Sequence, residues 1–159
     1  SWLIVLFGAE LSFANQNVEK YREERGSLNI SHFYRMILTL LTASLVVKNF
    51  ARGKEPLSAE DIAHELELPI RIVREMIYDL VEVNLFTETI KDNHKERAYQ
   101  PAFDINNIKI SSVILKVDKH GNDDISAKDS SEFRKVSSAV KRFYEKIVDA
   151  PEDMLLKEI

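Results

Sequence analysis

Four histidines, His32, His64, His94 and His120, are the side chains of this 159-residue sequence best suited to metal binding or to proton transfer near neutral pH. Their spacing serves neither purpose. No two form an HxxxH pair, and with no cysteine in the sequence a zinc site would have to gather ligands from distant segments. The lack of Cys also removes thiolate nucleophiles and disulfides, which fits a reducing compartment. Ser58 and Ser130 stand beside acids where helices begin, and read as caps rather than nucleophiles. The sequence holds no GxSxG, no phosphate-binding glycine loop and no GxGxxG, and Asp123 with Asp124 in GNDDIS reads as a polar loop. No catalytic residue, metal or cofactor is expected.

What remains is ionic recognition. Arg71 and Arg74, with Lys95 and Arg97 further on, are the candidates to meet nucleic-acid phosphate or base edges. They are outnumbered. Between Ser58 and Glu82 the two arginines face seven carboxylates, a local charge of -5, and beyond it Glu88, Asp92 and Glu96 cancel Lys91, Lys95 and Arg97. The whole chain carries -4. Because non-specific affinity for nucleic acid comes mostly from neutralising phosphates, this balance disfavours that partner. An acidic protein-docking face formed by Glu60, Glu67, Glu75 and Asp79 is the stronger expectation.

The elements that must position these charges lie in PLSAEDIAHELELPIRIVREMIYDLVEVNLF. Ser58 followed three residues later by Asp61 predicts a capping box for a short helix through Glu65. Leu66 to Leu68 makes a tight turn, and Pro69 opens a second helix in its first turn, where a missing N–H costs nothing. Ile72, Val73, Met76, Ile77, Leu80 and Val81 give that helix an apolar stripe at i, i+3, i+4 spacing. Leu85 to Ile90 and Glu96 to Gln100, rich in Thr, Phe, Ile and Tyr, then predict a β-hairpin across KDNHK. A helix-turn-helix followed by a hairpin is a winged helix. The phrase resembles winged-helix regulators of the Rrf2-like and MarR-like groups, which implies that Ala63 and Leu68 hold the two helices together.

On either side lie longer helices. One runs about twenty residues from a cap at Ser31 to a stop at Gly53, with Phe33, Ile37, Leu40, Leu41, Ser44, Leu45 and Lys48 on one face, widened by Met36, Val47 and Phe50. His32, Arg35, Lys48 and Arg52 bracket too short a gap for a bilayer span, so a buried core helix is expected. Another is expected from Asp104 to about His120, and a last one from about Ser130 to Val148. Phe133, Val136, Val140, Phe143 and Ile147 give this last helix a heptad seam, able to pack on the domain or to pair with a second copy. Two heptads are too short to hold a dimer unaided, which favours packing on the domain.

The sequence opens on fourteen nearly uncharged residues, SWLIVLFGAELSFA, that run into NQNVEKYREERG. A span needs roughly 20 apolar residues, so the run reads as the cut end of a longer membrane helix, which the absence of an initiating Met favours. Lys20, Arg22 and Arg25 follow it, as at a cytoplasmic exit. FGAELSFANQNVEKY resembles the end of the last transmembrane helix in the YihY/BrkB-like inner-membrane family, older labels for which include ribonuclease BN. The resemblance implies a domain on the cytoplasmic side of the bacterial inner membrane. The tRNA-processing ribonuclease activity of the old label finds no catalytic motif here. The expected organisation is the end of a membrane helix with its juxtamembrane segment (1–25), a winged-helix domain (26–103) and a C-terminal helical extension packing on it (104–159). The fold class is mainly α with a small β-hairpin, a winged helix-turn-helix with additional N- and C-terminal helices. Its expected role is regulatory or protein-docking, with a membrane-tethered DNA-binding regulator as the alternative.

Overall fold

The computed structural model describes residues 29–91 and 95–159, so the apolar opening run, the juxtamembrane segment and His94 lie outside the described residues. The chain divides into two compact units, 1–35 and 36–159. Of the first, only a turn and the start of one helix are described.

That helix, α1 (His32–Ala51), begins where the Ser31 hydroxyl accepts the Tyr34 N–H at 3.1 Å, the expected cap. The face it buries shares only Ser44 and Val47 with the expected one. Leu38, Thr39, Thr42, Ala43, Ser44, Val46 and Val47 point inward, whereas Ile37 and Leu41 remain exposed. The inward residues are mostly small or β-branched, which lets other backbone approach closely: the Ser44 hydroxyl donates to the carbonyl of the fully buried Leu156 at 3.2 Å. By length and composition α1 could also cross a membrane, with a mean hydropathy of 1.2, but its buried face marks it as a core helix.

The helix-turn-helix follows as expected. In α2 (Ala59–Leu66), Ser58 accepts from the Asp61 N–H at 3.2 Å and Asp61 accepts from the Ser58 N–H at 2.9 Å, completing the capping box. The next helix, α3 (Ile70–Glu82), starts one residue after the expected point, since Pro69 occupies the N-cap with an extended ψ of 130°. Its stripe is buried: Val73, Met76 and Leu80 are fully inaccessible and meet the equally buried Ile62 of α2 in the core. Each such side chain contributes about 1.5–3 kcal/mol relative to exposure.

Three successive helices end in one way. At each, the N–H groups of a left-handed residue and its successor bond back to carbonyls of the last turn. Gly53 (φ 65°) does this after α1, Glu67 (φ 52°) after α2 and Asn84 (φ 56°) after α3. Glycine takes that conformation freely and asparagine takes it readily, whereas a glutamate does so under strain.

The hairpin pairs β1 (Phe86–Lys91) with β2 (Glu96–Pro101) antiparallel, Phe86 opposite Pro101 and Lys91 opposite Glu96. Phe86 and Ala98 face the core, and the Tyr99 N–H donates to the Leu57 carbonyl at 2.9 Å, seating the hairpin beside the entry to α2. This is the winged helix-turn-helix expected from the sequence.

The expected helix from Asp104 is broken. A 3₁₀ turn at Ile105–Asn107 stops at Ile108, which is buried and extended, and α4 runs only from Ile110 to Asp118. The break comes from the chain's other end: Leu156 donates to the Ile108 carbonyl at 2.9 Å, and Asp153 accepts from both the N–H and the hydroxyl of Ser111. The last helix, α5 (Ser131–Val148), has the expected bounds, but no residue of it is buried. Most of its seam is exposed; Val140 and Tyr144 line an open groove with Leu115 and Asp118 of α4, where the half-buried Tyr144 donates to Asp118 at 3.0 Å.

Because Glu67 is exposed and strained, Glu67→Gly is expected to raise stability by about 0.5–1 kcal/mol, and the β-branched Glu67→Val to lower it by a similar amount. Urea unfolding of the two variants measures this, and equal midpoints would show that the turn carries no strain.

Candidate docking surface of the helix-turn-helix and hairpin

An open groove of about 530 Å³ lies between α3 and the hairpin, lined by Ile77, Tyr78, Val81 and Tyr99 together with charged side chains. Two ion pairs contribute to that lining. Arg74 of α3 meets Glu60 of α2 at 2.6 Å, and Arg97 of β2 meets Glu88 of β1 at 3.3 Å, diagonally across the hairpin. On the same helix Arg71 lies 3.5 Å from Glu75, one turn on. The Arg74 hydrogen bond is the main reason the Glu60 carboxyl sits below its ordinary range.

The residues that the sequence assigns to rival functions are thus partners. Arg74 and Glu60, and Arg71 and Glu75, face each other rather than a common ligand. Glu67 forms the turn between α2 and α3, Asp79 is half-buried on α3, and Lys95 takes a left-handed conformation (φ 51°) just before β2. Of the apolar seam, Phe133, Val136, Val140 and Phe143 are exposed and Ile147 is half-buried. His32, His64 and His120 are exposed and lie on separate elements. Among the described residues, no group of three His, Asp or Glu is placed to hold a metal ion.

Sequence reasoning missed the contact that sets the hairpin against the helices. Lys91 reaches Asp61 at 2.5 Å, so the carboxylate that caps α2 also anchors β1. Burial works to raise the Asp61 carboxyl, but hydrogen bonds from Lys91 and Ser58 outweigh it and hold the group below its ordinary value of 3.8. Lys91 is raised correspondingly, chiefly by its bond to Asp61. Tyr78 and Tyr99 were missed as well. Tyr78, 64% exposed, stands one turn beyond Arg74, a spacing that could have flagged it, and burial with the nearby Glu88 charge pushes the Tyr99 phenol up.

No protein-family model and no curated protein matches the sequence. Solved structures do match. IscR of T. potens aligns with a TM-score of 0.52 at 18% identity, over 77% of this chain and 82% of that one. CymR of B. subtilis, described as the global cysteine regulator of that organism, aligns at 0.50 and 14%, over 76% and 89%. CymR of Staphylococcus aureus aligns at 0.50 and 17%, over 78% and 93%. At these identities the likeness is one of fold, and the shared fold is the winged helix-turn-helix.

Removing the Asp61 carboxylate takes away a cap and a hairpin anchor, so Asp61→Ala is expected to destabilise the chain by about 1–2 kcal/mol at neutral pH. Since the folded-state value is depressed, the wild-type advantage is present above 3.8 and fades as pH falls through the lower folded value. Denaturant midpoints of both proteins across acid pH measure this, and a pH-independent difference would rule out the charge as the cause.

Proposed function

We propose that this chain is a winged-helix regulatory and protein-docking domain of a YihY/BrkB-like inner-membrane protein, on the cytoplasmic side. The observation that carries the docking reading is the pairing of the arginines. On α3 and β2 each arginine that could approach phosphate already lies against a carboxylate, and the helix-turn-helix keeps five negative charges in excess. What such a surface attracts is a partner segment with basic side chains. Ile77, Val81, Tyr78 and Tyr99 line the groove between α3 and the hairpin and supply apolar contact there. The membrane part of the proposal rests on FGAELSFANQNVEKY alone.

One observation favours the alternative, a membrane-tethered DNA-binding regulator. The Arg74–Glu60 pair is a surface pair, with side chains 63% and 55% exposed, and pairs of that kind are worth about 0–1 kcal/mol. A phosphate could therefore displace Glu60 at little cost, leaving Arg71, Arg74, Lys95 and Arg97 as contacts. Displacement does not remove the carboxylates, however, and the surplus charge still repels the duplex.

The two readings part in a titration of a labelled random-sequence duplex with the chain, read by fluorescence anisotropy at low and at physiological salt. No micromolar binding is expected at physiological salt. Binding that falls steeply with salt and disappears in Arg74→Glu would replace docking by DNA recognition. For docking itself, a photo-crosslinker at Tyr78 in the membrane-embedded protein should capture one defined partner, and the double reversal Glu60→Lys with Glu75→Lys should abolish capture. Unchanged capture would remove the acidic face from the interface.

A further inference from the structure

α5 is an 18-residue helix with no buried residue, and its apolar stripe is open to solvent: Phe133 is 47%, Val136 63%, Val140 45% and Phe143 69% exposed. At 1.5 Å per residue it forms a rod about 27 Å long. Its charge runs against that of the chain. Arg134, Lys135, Lys141, Arg142 and Lys146 stand against Glu132 and Glu145, a net +3 within a chain of -4. At about 100° per residue, Lys146 lies about 100° and Lys135 and Lys141 about 120° from the middle of the stripe, Arg134 and Arg142 lie about 140° from it on opposite sides, and Glu132 stands beside its edge.

We propose that α5 is a bilayer-surface helix that seats its apolar stripe among anionic phospholipids while its basic flanks meet the headgroups. An apolar face bordered by Lys and Arg is the arrangement that lies in the plane of a membrane interface, where long basic side chains reach outward to phosphate. Arg134 pairs with Asp129 at 3.0 Å, and this pair is more than 70% exposed on both sides and gives way to headgroups at little cost.

A second copy fits the same face less well. With Phe133 and Val140 at a and Val136 and Phe143 at d, the e positions are Ser137 and Tyr144 and the g positions Glu132, Ala139 and Lys146, so the one opposite-charge contact open to a second copy is Glu132 with Lys146 in an antiparallel pairing. Tyr144 is already bonded to Asp118. Two copies would also bring +3 against +3, whereas an anionic leaflet adds a favourable factor of roughly fivefold for each basic residue near it. Polyphosphate alone would use the cations and leave the stripe uncovered. The acidic helix-turn-helix is a separate surface, so the docking reading could fail without touching this one.

Because the chain has no cysteine, Val136→Cys and Ser138→Cys each offer one site for an environment-sensitive fluorophore, on the stripe and on the polar face. With vesicles of equal parts phosphatidylcholine and phosphatidylglycerol, the probe at position 136 should shift to the blue and the probe at 138 should not. Vesicles of phosphatidylcholine alone should give little shift, and added salt should reverse most of it. The reversals Lys135→Glu and Arg142→Glu together should weaken vesicle affinity at least about tenfold. A blue shift at 136 that grows with protein concentration without lipid would assign the face to a second copy. No shift under any condition, or equal shifts at 136 and 138, would also overturn the proposal. Comparing two sites on α5 separates its contact from any lipid binding by the apolar residues 1–14.

Discussion

The carboxylate of Asp61 accepts the N–H of Ser58, the cap of its own helix, and the ammonium of Lys91, and this double use fixes how the helices and the hairpin stand together. The capping box sets the direction of α2, and the Tyr99–Leu57 bond lays the hairpin beside the chain entering that helix. With those directions set, Ile62, Val73, Met76 and Leu80 are buried together, and Ser58, the polar side chain buried with them, has its hydrogen bond within the capping box. The charged groove is what this assembly leaves on its outer side.

Local grammar was easy to read where a few neighbouring residues decide the outcome. Ser58 with Asp61, the stripe from Ile72 to Leu80, and the Thr- and Phe-rich strands all gave the expected elements, because capping, helical period and strand propensity act within a turn or two. What was illegible depends on distant approach. The Lys91–Asp61 contact spans 30 positions and the Arg74–Glu60 contact spans 14, so no window of sequence shows them. The helix expected from Asp104 looks continuous until Leu156 takes the carbonyl of Ile108.

α1 failed for a different reason. Helical spacing put Ile37 and Leu41 on the inward face, whereas the buried face is mostly Thr, Ala, Ser and Val, which neighbouring backbone can approach. With α5 the stripe has the expected period, yet most of it is exposed. A heptad stripe reports that something apolar covers a helix, and the covering surface need not belong to the same domain.

The bond from Ser44 to Leu156 joins residues 112 positions apart. While the chain is being synthesised, Ser44 of α1 has no partner for this bond until Leu156 has left the ribosome. The helix-turn-helix between them can close on local contacts alone. The central helix-turn-helix thus needs no segment from the chain's end, whereas α1 shares a bond with one that is made more than a hundred residues later.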